Sequence, residues 1–224
     1  MHAFKRLLKT DLRSLRNTIL VSAAGIMMLN FILLFVLTQF DVEFNMIELV
    51  RNLNISAFMA VLLIPFLHTY RIWDKEWKRH TILLLLSLPV TRMQVLVSKY
   101  IAILVECLIV VTIMLAGLAV QNWAVDGQMF RMEPLVTITL EKVLFAAGFL
   151  FDFTSLIFMC FFCTLLGKCF PTYSLLVTCT VFVVGMFGTF AVTLMLQSIL
   201  VLYLFGGAYF LGSLYVLEKR VVVP

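Results

Sequence analysis

Between Lys168 and Glu218 the chain runs for 49 residues without one charged side chain. As a single helix that stretch would be roughly 73 Å long, whereas a bilayer's hydrocarbon core is only ~30 Å thick. It must fold back on itself, which makes two membrane spans. The reversal is expected at 193–198, around Gln197, where weakly polar groups gather. Composition agrees: 63% of the 224 residues are hydrophobic and 13% are charged, against ~45–50% and ~25% in soluble domains. A soluble globule of this size has too little interior to hide that much apolar surface. Disorder is excluded too, because it needs low hydrophobicity and high charge.

Gaps between charges locate the remaining spans. Residues 17–40, between Arg16 and Asp41, are 24 uncharged positions, and 52–70, between Arg51 and Arg71, are 19. A third span runs from about Lys99 to Val120, interrupted only by Glu106. A fourth runs from about Val143 to Gly167, interrupted only by Asp152. Pro171 suits the first turn of the fifth helix, where its missing N–H costs nothing. The expected fold is therefore an all-α integral membrane protein with six transmembrane helices and both termini on one side. The apolar runs are unbroken, which excludes the alternating pattern of an outer-membrane barrel.

Lys and Arg set the orientation. Fourteen of them fall on the side of the termini and three on the other, Arg51, Arg131 and Lys142. Both termini are therefore expected in the cytoplasm. The net charge of +5 is a topology signal, and no soluble basic module is left for a nucleic-acid partner. Phe4, Leu7, Leu8, Leu12 and Leu15 recur at helical spacing between basic residues. Residues 1–17 are thus expected as an amphipathic elbow helix on the inner leaflet, followed by one six-span domain at 18–217 and a cytoplasmic tail at 218–224.

Segment 68–99 carries the richest signal. Its charged opening from Arg71 to His80 includes two tryptophans, and an uncharged run too short to span then holds Pro89. Trp73, Trp77 and His80 fall at i, i+4 and i+7 and so share one helix face. That face suits either docking to a partner, since Trp concentrates in interface hot spots, or anchoring among lipid headgroups. The order Glu76, Thr81, the Leu-rich run 83–88, Pro89, Thr91, Arg92 and finally Ser98-Lys99 resembles the signature of permease subunits of type-2 ABC transporters. His80 stands where that family often has Gly. The six-span layout fits the same family along the whole chain.

The resemblance implies a cytoplasmic coupling helix between spans two and three, at about 70–92, seated in a groove of a separate ATPase. Arg71, Trp73, Asp74, Glu76, Trp77, Arg79 and His80 are its expected contact residues. It also implies no cofactor on this chain, with ATP and Mg²⁺ on the ATPase, and assembly with a second permease copy or a similar paralogue in a bacterial plasma membrane. The chain resembles small bacterial exporters of toxic or antimicrobial peptides, which implies a transport subunit rather than an enzyme.

Glu106 and Asp152 are candidate path residues, because a charged carboxylate near a span centre costs at least ~2.5–3.5 kcal/mol. Packing against Thr112, Thr154 or Ser155 is the plainer account of them. A six-span secondary transporter or an intramembrane enzyme working through the two carboxylates, without an ATPase, is the alternative. The five cysteines lie in or beside spans, and the three histidines share no ligand spacing, so no metal site is expected. There is no G-x4-G-K-[ST] phosphate loop, no G-x-S-x-G and no H-E-x-x-H. Ala208 and Gly212 are expected to bring the last span close to a neighbour.

Overall fold

The computed structural model describes residues 2–39, 44–78, 91–127, 140–196 and 200–219. These form six long helices: α1 (His2–Gln39), α2 (Phe44–Lys78), α3 (Arg92–Ala124), α4 (Leu140–Lys168), α5 (Ser174–Leu196) and α6 (Leu200–Lys219). A 3₁₀ turn, Pro171–Tyr173, leads into α5. All six helices carry a window long and apolar enough to cross a membrane, and no strand occurs among the described residues. The long uncharged stretch does fold back: α5 ends at Leu196 and α6 starts at Leu200.

Several boundaries differ from the sequence reading. Residues 2–17 are not a separate elbow, because α1 continues through Asn17 without a break and is 38 residues long. Nothing in RNTIL interrupts a helix. The basic residues Lys5, Arg6, Lys9, Arg13 and Arg16 stay exposed along it while Leu7 and Leu15 are buried. Likewise α2 does not stop near residue 70. It carries Pro65 in its interior and runs on to Lys78, so the charged Trp-bearing stretch is the end of a span and not a detached helix.

The third helix begins at Arg92, seven residues before Lys99. The Thr91 hydroxyl accepts from the Gln94 amide at 3.3 Å and the Gln94 side chain accepts from the Thr91 amide at 3.1 Å. This reciprocal box satisfies two otherwise unbonded N–H groups. At its other end α3 includes Gln121, and the chain leaves through Asp126 (φ 49°) and Gly127 (φ 78°). The Gly127 amide reaches back to the Asn122 carbonyl at 2.9 Å, as in a Schellman cap. Residues 128–139, between α3 and α4, lie outside the described residues.

The chain divides into two compact units. The first comprises Lys5–Pro65 and Ile101–Ile138. Its core packs Ile26, Val61, Val110 and Met114 together, with a second cluster of Leu37, Ile47, Val50 and Val125. The other unit comprises Met1–Phe4, Phe66–Tyr100 and Thr139–Pro224. Its centre is α4, which packs most extensively on α6 and then on α5. Half of the α4 span is buried, with Ile157, Phe161 and Leu165 fully so, whereas only 6% of the α5 span is covered. Helix α6 approaches α4 at Gly206, against Ser155, and at Gly212, against the Phe162 ring. Ala208, expected at this contact, is exposed. The approach uses the two glycines because only they leave room for the opposing side chains.

Candidate functional site

The last turns of α2 turn charge inward. Trp73 is fully buried and meets the edge of Phe161 of α4, with ring centroids 6.0 Å apart and planes at 87°. Lys99, two turns into α3, is 1% exposed. Its ammonium lies 5.2 Å from the centre of the Trp73 ring and pairs with the Glu76 carboxylate. One helical turn earlier the arrangement repeats. Lys168, the last residue of α4, pairs with Asp74 at 2.5 Å and lies 5.4 Å from the centre of the Tyr70 ring.

Each lysine thus enters a socket made of one aromatic ring and one carboxylate on α2, spaced i,i+3 (Trp73, Glu76) or i,i+4 (Tyr70, Asp74). Those spacings put the two groups on the same side of a helix. An ammonium held away from water needs both kinds of partner: a counter-charge to offset its desolvation and a ring face for its remaining surface. Nearby, Arg92 donates to the Leu217 carbonyl at 3.0 Å, which links the start of α3 to the end of α6.

These positions redistribute the residues expected to touch a partner. Trp73 is inaccessible, and Asp74 and Glu76 are spent on lysines of the same chain. Arg71 is exposed and Trp77 partly so, with Lys75 exposed between them, so of the residues expected to touch a partner Arg71 and Trp77 stay on the outside. Arg79 and His80 lie outside the described residues. The motif that opens at Glu76 and closes at Lys99 brings its two ends together as an ion pair. Spacing alone had hidden this, because 22 residues separate them. The available signal was a lysine seven residues inside an apolar helix.

The intramembrane carboxylates fall in different units. Glu106 is fully buried on α3 of the first unit. Asp152 is half-buried on α4 of the other, and its Oδ1 is buried with no hydrogen-bond partner among the described residues. The hydroxyls suggested as their partners bond elsewhere. Thr112 donates to the Leu108 carbonyl at 2.6 Å, Thr154 to Leu150 at 2.7 Å and Ser155 to Phe151 at 3.2 Å. Thr154 also meets the Tyr100 hydroxyl at 2.9 Å.

With this geometry in hand, the comparisons decide the family. The chain matches the family described as ABC-2 family transporter protein over residues 6–217. It belongs to that family. Comparison with curated proteins and with solved structures gave no match. The chain is therefore a multi-pass membrane permease subunit of an ABC transporter, a transport subunit whose family implies an ABC ATPase as partner.

The ABC-2 permease holds a further polar site that counting charges could not find. In the first unit Asn54 of α2 donates to Gln121 of α3 at 2.7 Å, and Gln121 donates to the Asn30 side chain of α1 at 2.9 Å. All three amides are buried. Asn30 and Asn54 also donate to the carbonyls four residues back, each at 3.0 Å. Gly117 of α3 packs directly under the Asn30 amide, where a Cβ would overlap it. The chain tying three helices together is wholly neutral.

Proposed function

We propose that this permease is half of an ATP-driven exporter for amphipathic or hydrophobic cargo, with an antimicrobial or toxic peptide as the favoured class. Two copies, or this chain and a paralogue, work with two separate ATPase subunits that carry ATP and Mg²⁺. Both termini lie in the cytoplasm of a bacterial cell, as the lysine and arginine distribution favours. Arg71 and Trp77 of α2, together with Arg79 and His80 that follow in the sequence, receive the ATPase. Asp152 and Glu106 serve the translocation path. The family match over almost the whole chain carries this reading. The 21 Phe and 12 Met residues support the cargo class, since thioether and ring surfaces adapt to varied apolar partners.

The test is affinity purification of the full chain in mild detergent, with mass spectrometry of what accompanies it. A stoichiometric subunit with a phosphate-binding loop is expected, and Trp77→Ala should reduce its recovery while membrane insertion is unchanged. A second reading, transport without an ATPase, draws on the unpartnered Asp152 Oδ1. Repeated absence of an ATPase under crosslinking, together with loss of transport in Asp152→Asn, would favour it.

A further inference from the structure

We propose that the two lysine sockets at the end of α2 form a clasp that makes α3 and α4 follow the ATPase-facing segment. In this clasp Tyr70 with Asp74 grips Lys168, and Trp73 with Glu76 grips Lys99. It deepens the ATPase-coupled reading above and rests on it. The four charged residues are positioning residues, acting through the helices they join and making no contact with nucleotide or cargo.

Three observations carry the proposal. First, the grip is internal. Lys99 and Lys168 are 1% and 8% exposed at their side chains and their carboxylates 17% and 19%, so neither pair is free to meet a partner subunit. Second, the grip is double and directed at different helices. Within seven residues α2 holds α3 two turns from its start and α4 at its last residue. Arg92 then carries the connection to α6 through the Leu217 carbonyl. Third, the sockets sit where a push must arrive. The described part of α2 ends at Lys78, two residues beyond Glu76, with the exposed Arg71 and Lys75 between the socket residues and the partly exposed Trp77 directly after them.

A buried ion pair with a ring above it resists sliding, because any displacement exposes a charge to low dielectric without its partner. Such contacts keep one arrangement or another and do not deform smoothly. A displacement of the α2 end is therefore handed to α3 and α4 as a displacement and is not absorbed locally.

Cys169, which directly follows Lys168 and is half-buried, is a natural reporter of the α4 end. The experiment uses the full chain purified with its ATPase, with Cys107, Cys160, Cys163 and Cys179 replaced by alanine. N-ethylmaleimide labelling of Cys169 is timed without nucleotide and after trapping with ATP and vanadate. Trapping should change the rate severalfold in the otherwise native chain. Neutral pairs, which leave no orphan charge, are then compared: Asp74→Asn with Lys168→Gln, and Glu76→Gln with Lys99→Met.

Each pair should cut the nucleotide response at least threefold while the ATPase is recovered at unchanged stoichiometry. Reversing the charges, Asp74→Lys with Lys168→Asp, should restore the response, which a loss of general packing would not permit. An undiminished response in either neutral pair overturns the proposal. So does loss of the ATPase from either one, since that assigns these residues to docking. A native chain that binds the ATPase but keeps the same Cys169 rate throughout overturns the clasp alone. A native chain that captures no ATPase overturns the coupled reading, and the clasp falls with it.

Discussion

The two units tie α2 and α3 to a neighbouring helix with different chemistry. The unit of Lys5–Pro65 and Ile101–Ile138 ties α1, α2 and α3 together with the neutral amides of Asn30, Asn54 and Gln121. In the other, α2, α3 and α4 are joined by full charges, Glu76 to Lys99 and Asp74 to Lys168. A neutral amide that loses its partner can turn to a backbone carbonyl, as Asn30 and Asn54 already do. A buried charge has no such retreat. The difference teaches where the molecule is compliant and where it is brittle, and substitutions of graded severity can probe it.

The largest effect is expected at Lys99. Lys99→Met keeps the length of the side chain but takes away the ammonium that pairs with the mostly buried Glu76 carboxylate. Breaking one side of such a pair costs about 3–5 kcal/mol, so thermal unfolding of the detergent-purified chain should shift down by many degrees. Adding Glu76→Gln should recover most of the loss, because replacing both charges removes the orphan as well as the pair. A single variant as stable as the native chain would mean that the charged unit is no more brittle than the other.

Gly117→Ala comes next. The new methyl would overlap the Asn30 amide, so Asn30 must move and loosen its bond to Gln121. Overpacking of this sort costs about 1–3 kcal/mol. Asn54→Leu should be milder still, at about 0.6–2 kcal/mol by the measured range for hydrogen bonds between membrane helices. Both are read on the same unfolding assay. If Asn54→Leu cost as much as Lys99→Met, the contrast between neutral and charged ties would be void.

The same contrast explains what could be read from the sequence. Long runs with no charge, or with one carboxylate as at Glu106 and Asp152, located all six spans, because a ~30 Å core forces that reading. The fold-back between Leu196 and Leu200 followed from arithmetic alone. The span ends were less legible. A rule that stops a span at a charge ends α2 near Arg71 and starts the third span near Lys99. The lysine and the two carboxylates are tolerated further in because they meet each other. The motif from Glu76 to Lys99 marked the right region, but helical periodicity gave Trp73 the same face as Trp77 and said nothing of which face turns inward. The Asn30–Gln121–Asn54 chain left no trace at all, since three amides barely lower the hydropathy of the windows that contain them.

The smallest effect should come from the ion pair that most resembles the sockets on paper. Arg51 reaches Glu48 at 3.2 Å, one turn apart on α2. Both side chains are exposed, at 40% and 51%. Water screens the pair and either partner can be solvated alone, so its contribution is about 0–1 kcal/mol. Arg51→Ala should therefore leave the unfolding temperature of the purified chain unchanged within error, and adding salt should not separate variant from native. Arg51 is one of the three positive charges expected on the outer face, so removing it only strengthens the expected orientation. A clear destabilisation by Arg51→Ala would locate the strength of these pairs in charge itself. No change, set beside a large loss for Lys99→Met, would locate it in burial.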